Sequence, residues 1–159
     1  MAKRKTRRRS TGNRTTLRAA AIDHTTLAGK LARALGALAK DLPNPASESD
    51  DYFHPFAVPL AAATPLTPES LKQALRVGDR YQMTLRPADA FLEGGSDPDN
   101  WGEEVASGFQ LLTKVLRATL TDVSVANARA PGVVRVRLWL FGRDSNGTLV
   151  GLRSMSTET

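Results

Sequence analysis

Ser96-Asp-Pro-Asp-Asn-Trp-Gly-Glu-Glu-Val-Ala-Ser-Gly-Phe-Gln-Leu-Leu-Thr-Lys-Val-Leu-Arg-Ala-Thr-Leu120 decides the fold, because it is the most clearly bounded helical stretch in the sequence. Val105, Phe109, Leu112, Val115, Leu116 and Leu120 recur at three- and four-residue steps, which places them on one helical face. Asp97 before Pro98 supplies a start signal. Asp99, Glu103 and Glu104 put negative charge at the positive end of the helix dipole, with Lys114 and Arg117 near the other end. One face must be buried, and Val133 to Phe141 offers the surface that buries it. That stretch alternates with a period of two, Val134, Val136, Leu138 and Leu140 pointing one way and Arg135, Arg137 and Trp139 the other. The pair predicts a helix laid on a sheet.

Working outward, Leu27, Leu31, Leu35, Leu38 and Leu42 predict an amphipathic helix starting at Asp23 or Thr25 and ended by Pro43 and Pro45. An acidic, turn-rich loop from Asn44 leads to a strand centred on Phe56 and Val58. Thr67-Pro68-Glu69-Ser70 is an N-cap with proline at the first helical position, opening a short helix through about Val77 that Gly78 ends. Tyr81 to Leu85 reads as a strand, and Pro87 to Leu92 as a helical turn stopped by Gly94-Gly95. After the central helix, Val123 to Val125 starts another strand and Asn127 to Gly132 reads as a turn. Asp144-Ser-Asn-Gly147 predicts a hairpin, with Thr148 to Met155 returning.

With 159 residues and 41% hydrophobic composition, the chain suffices for one domain with a real core. It contains no cysteine, which excludes disulfides and thiolate chemistry and fits a reducing, cytoplasmic setting. No apolar run approaches the roughly 18 residues of a membrane span. The formal net charge of +6 is unevenly placed. Lys3, Arg4, Lys5, Arg7, Arg8, Arg9, Arg14 and Arg18 precede the first acidic residue, Asp23; the remaining 14 basic residues face 16 acidic ones, about −2. We therefore expect a disordered basic tail over 1–21 and a mildly acidic domain over 22–159. The tail is either a solvated extension or an arm that contacts nucleic-acid phosphates weakly through Lys3, Arg4, Lys5, Arg7, Arg8 and Arg9.

No enzyme is legible. His24 and His54 are the only histidines, and they lie far apart in sequence. No phosphate-binding loop or dinucleotide fingerprint is present. Glu48, Asp50 and Asp51 lack the ordered alternation and glycine of a calcium loop, so no metal site or cofactor of the chain's own is expected.

Several stretches, taken together and in order, resemble the nuclease A inhibitor family. They are Ser47-Glu-Ser-Asp-Asp-Tyr-Phe53, Phe91 followed by Asp97-Pro-Asp-Asn-Trp101, the helix Phe109 to Leu116, and the ending Gly147-Thr-Leu-Val-Gly-Leu-Arg-Ser-Met-Ser-Thr-Glu-Thr159. The likeness covers roughly Leu27 to Thr159. It implies an α+β protein, a single-domain α/β/α sandwich with a mainly antiparallel sheet flanked by helices, related to the pathogenesis-related-1 arrangement. It also implies a protein inhibitor that blocks the active site of a sugar-non-specific, magnesium-dependent endonuclease. In that family the glutamate of a Ser-Glu-Ser motif, here Glu48, and the C-terminal threonine carboxylate, here Thr159, reach the nuclease's metal region. Ser47, Ser49, Asp50, Glu158 and Trp101 complete the implied partner-binding set. A glutamate and a chain-end carboxylate are suited to this, because they can replace phosphate oxygens before Mg²⁺ and basic side chains. Asp51 and His54 depart from the family's usual loop, Ser-Glu-Ser-Glu-Tyr-Pro-Phe.

Overall fold

The computed structural model describes residues 22–158; the basic residues Lys3, Arg4, Lys5, Arg7, Arg8 and Arg9, and Thr159 at the other end, lie outside them. The elements in chain order are α1 (Leu27–Leu38), β1 (His54–Val58), α2 (Pro68–Ala74), β2 (Gln82–Pro87), α3 (Asp89–Gly95), α4 (Pro98–Trp101), α5 (Glu103–Thr119), β3 (Thr121–Arg129), β4 (Arg135–Arg143) and β5 (Leu149–Thr157). The five strands form one sheet in the order β1-β5-β4-β3-β2, every neighbouring pair antiparallel. This is the expected α+β domain.

Alternation along the strands divides the core between the two faces of the sheet. Val125, Leu138, Leu140, Val150 and Leu152 meet α1, α3 and α5 on one face, where Phe53 packs edge-on against both Phe91 and Phe109 at 6.3 Å between ring centroids. On the other face, Ala126, Ala128, Trp139, Phe141 and Leu149 pack with Phe56, Met83, Val77 and, from α2, Leu71. Each fully buried side chain of this size contributes about 1.5–3 kcal/mol of transfer free energy. The second layer explains why Trp139 is buried although it alternates with arginines: its face is covered as well, by a shorter helix.

The central stretch folds as two helices. Gly102 adopts φ +81°, a left-handed conformation open to glycine, and so separates α4 from α5. Asp97 caps α4 as its position suggested, its side chain accepting from the Asp99 N–H. In α5 the buried positions are Ala106, Phe109, Leu112 and Leu116.

Other boundaries move for identifiable reasons. α1 is capped by Thr26 and buries Ala28, Gly29, Ala32 and Leu35; of the leucine stripe, Leu35 and Leu42 are buried and Leu31 and Leu38 pack partly buried against the core, while Leu27 at the helix start is 80% exposed. Small residues there let the helix approach β1 and β5 closely. α2 has the expected cap, reinforced reciprocally by Thr67 and Ser70, but ends at Ala74, and Arg76 at φ +55° makes the turn before Gly78 is reached. Asn127 is not a turn residue: it is buried inside β3, and the chain reverses after Ala130. Val134 is exposed outside β4. The hairpin at Asp144 forms as predicted, with the Asp144 and Thr148 backbones joined at 3.0 Å and Gly147 at φ +88°.

Candidate functional site

The acidic loop is built around Asn44, which is 1% exposed between the two prolines that follow α1. Its side-chain amide donates to the Met155 carbonyl at 2.9 Å, its backbone N–H donates to the Asp51 carbonyl at 2.7 Å, and its Oδ1 accepts from the Ala46 N–H at 3.0 Å. Three bonds therefore close residues 44–51 into a loop and fasten it to β5.

Beyond that anchor, Ser47 and Ser49 turn inward on Asp51. The Ser47 hydroxyl donates to Asp51 Oδ2 at 2.6 Å and accepts from the Thr157 N–H at 3.0 Å. The Ser49 hydroxyl donates to the same carboxylate oxygen at 2.8 Å and lies 3.0 Å from Thr157 Oγ1. From β4, Arg135 reaches across with a fork, donating from one nitrogen to Asp51 Oδ1 at 3.0 Å and from another to Thr157 Oγ1 at 3.1 Å. Partial burial pushes the Asp51 carboxyl up. The two serine hydroxyls and the charge of Arg135 outweigh it and hold the group below the ordinary carboxylate range.

Between the two inward serines stands Glu48. Its backbone N–H donates to the Thr157 carbonyl at 3.1 Å, so its main chain is fixed to the end of the last strand while the residue itself is exposed. Asp50 is likewise exposed. Glu158 follows Thr157 and is held by Arg129 through both carboxylate oxygens; the Arg129 hydrogen bond, its charge and the Ser156 hydroxyl keep the Glu158 pKa low against partial burial. The structure thus joins Ser47, Glu48, Ser49 and the residues leading into Thr159, while Thr159 itself lies outside the described residues. Trp101 enters from a separate element, half-exposed at the end of α4 where that helix packs on α5. Among the described residues, no group of three or more His, Asp or Glu side chains is gathered to hold a metal ion.

Asn44, Asp51, Arg135 and Thr157 position this site; of these the sequence drew attention to Asp51 alone, as an acidic loop residue and not as the centre of a network. One signal was present: Ser47, Ser49 and Asp51 occupy alternate positions, a spacing that lets three polar side chains converge while Glu48 and Asp50 between them are exposed. The departure of Asp51 from the usual family loop is therefore structural in effect, since it is the acceptor that gathers the loop.

A protein-family model described as nuclease A inhibitor-like protein matches residues 29–159. No curated protein matches the sequence. The matched span takes in the loop at Glu48, Trp101, the final strand and all but the first two residues of α1. This chain belongs to the nuclease A inhibitor-like family, a family of nuclease inhibitors in general terms.

Proposed function

We propose that this protein inhibits a sugar-non-specific, magnesium-dependent endonuclease by placing Glu48 and the Thr159 carboxylate at the nuclease's metal region as substitutes for substrate phosphate oxygens. The reading is supported above all by one observation: Glu48 is exposed on a loop whose backbone is bonded to Thr157, two residues before Thr159. An inhibitor of this kind benefits from a rigid, pre-formed anionic projection, because ordering a loop on binding costs affinity. The Asp51 network supplies that rigidity. Ser47 and Ser49 act from beneath by fixing the loop, Asp50 adds negative potential at its rim, and Glu158 steadies the terminal segment through Arg129. Trp101 supplies an aromatic contact at the edge of the interface, where such side chains contribute much of the binding energy.

Inhibition of this type needs no nucleophile, metal or cofactor in the inhibitor, and the partner's Mg²⁺ and basic groups supply the complementary charge. The mildly acidic domain favours encounter with a basic cleft. A cysteine-free chain is suited to the cytoplasm, where we place this activity. The test is a titration of a cognate magnesium-dependent nuclease with the protein and with its Glu48→Ala variant. A folded variant that inhibits as well as the parent protein would rule out this mechanism.

A further inference from the structure

Building on the role proposed for Glu48 and Thr159, we infer that Val134 extends the inhibitory surface with an apolar contact, meeting an uncharged, apolar patch of the nuclease beside its metal region. Hydrogen bonds on the two sides of the last strand fix the spacing. The Glu48 N–H donates to the Thr157 carbonyl on one side, and the Glu158 N–H donates to the Val134 carbonyl on the other, both at 3.1 Å. Glu48, the end of β5 and Val134 therefore lie in one row. Two strand spacings of about 4.8 Å put Val134 about 10 Å from Glu48, backbone to backbone. A stable interface covers about 800 Å² of each partner, a patch roughly 30 Å across, so a nuclease centred on Glu48 reaches Val134 as well.

A single exposed valine is ordinary; what marks this one is its place in the row and the way it is held. Val136, its neighbour on the same face of the sheet, is 2% exposed, whereas Val134 is 54% exposed, so the cover of that face ends between them. The backbone around it is fixed. Gly132 at φ +73° makes the turn after β3, the Val133 N–H donates to the Ala130 carbonyl at 3.2 Å, and the next residue, Arg135, is tied to Asp51 and Thr157. A β-branched side chain on such a backbone loses little rotamer freedom on binding. The contact proposed for Glu48 is strong only where water is kept out, and hydrated carboxylates such as Glu48 and Asp50 do not keep it out. An apolar side chain at the rim does. The facing surface must itself be apolar, because a charged group buried against Val134 would be desolvated without a partner. Nucleases that share a basic, metal-containing cleft are thus told apart by what borders it, which makes Val134 a specificity-determining residue.

The experiment is a titration of a cognate magnesium-dependent nuclease with the full-length parent, Val134→Thr, Val134→Lys, Leu27→Lys and Glu48→Ala, each checked by thermal unfolding. Threonine keeps the branched shape and exchanges a methyl for a hydroxyl, so Val134→Thr should fold as the parent does and inhibit about fivefold less well. That loss should be the same at low and high salt, because no charge is changed. Val134→Lys sets a cation against a basic rim and should weaken inhibition at least 30-fold. Leu27 is also exposed but stands at the far end of the twelve-residue α1, about 18 Å along the helix from the segment that leads to Asn44, and Leu27→Lys should inhibit like the parent. Parent-like inhibition by folded Val134→Lys, with Glu48→Ala impaired, would overturn the role of Val134 and leave that of Glu48 standing. Impaired Val134→Lys with parent-like Glu48→Ala would keep Val134 as a contact and overturn the role of Glu48. Equal losses in Val134→Lys and Leu27→Lys, or a Val134→Thr loss that high salt abolishes, would assign the effect to charge and overturn the apolar contact. Should Val134→Lys not fold, Val134→Thr decides alone.

Discussion

Replacing Asp51 by alanine removes the acceptor on which the loop converges: Ser47 Oγ at 2.6 Å, Ser49 Oγ at 2.8 Å and Arg135 at 3.0 Å all donate to it. Hydrogen bonds to a charged group are worth about 1.5–3 kcal/mol each when well shielded. The Asp51 side chain is 15% exposed, but Arg135 is 45% exposed and recovers water once released. Discounting for that screening leaves a loss of about 2 kcal/mol. For a chain of 159 residues this lowers Tm by roughly 4–8 °C, at about 2–4 °C per kcal/mol. Asparagine should restore little, because its single oxygen can serve either the serines or Arg135 while its amide presents a donor to the other. The second effect falls on inhibition. Freeing residues 47–51 makes the nuclease order them on binding, at about 1 kcal/mol or more per residue fixed, so inhibition should weaken at least tenfold. Calorimetry and a nuclease titration on the same preparation read both quantities. Unchanged Tm and unchanged inhibition in Asp51→Ala would refute the role assigned to this network.

Acid should act through the same group. Because folding depresses the Asp51 pKa, its contribution is complete above the unfolded value of about 3.9 and is lost as pH falls through the folded value, so Asp51→Ala should flatten the stability loss below about pH 4. Arg143 is buried at 8% exposure and donates to the carbonyls of Thr64, Ala61 and Gly147 at 2.7, 2.8 and 3.2 Å. Arg143→Ala orphans these acceptors and should cost about 3–5 kcal/mol by denaturant unfolding, more than any exposed arginine in the chain. Deleting residues 1–21 should leave Tm within about 1 °C, and a large loss would show that this segment is docked on the domain.

The layering of helix on sheet was legible because α5 and β4 carry clean periods of 3.6 and 2. Where sequence reading missed, the cause was tertiary. The leucine stripe of α1 packs on the core from Leu31 to Leu42, but Leu27 is exposed and Ala28 and Ala32 join the contact, because the helix also lies against β1 and β5, where small side chains fit. Helical periodicity runs across Gly102 from Trp101 to Val105, so spacing alone did not reveal the break that its positive φ imposes. Asn127 has the preferences of a turn residue and was read as one, but tertiary context buries it in a central strand. Glu48 and Trp101, which we propose face the partner, came from family resemblance, whereas the groups that hold the Glu48 loop in place are 84 to 110 residues apart in sequence and unite only in the fold.

The central claim is that Glu48 and the Thr159 carboxylate act as one anionic unit on a nuclease. Its most direct measurement is the inhibition constant against a cognate magnesium-dependent nuclease for the parent, Glu48→Ala, a variant extended by a few residues after Thr159, and the combination. Removing one member of a desolvated charge contact typically costs about 2–5 kcal/mol, so each single change should weaken inhibition roughly 30-fold or more. The combination should lose less than the product of the two, as groups serving one site do. Parent-like inhibition by both single variants, with unfolding curves that match the parent's, would contradict the account.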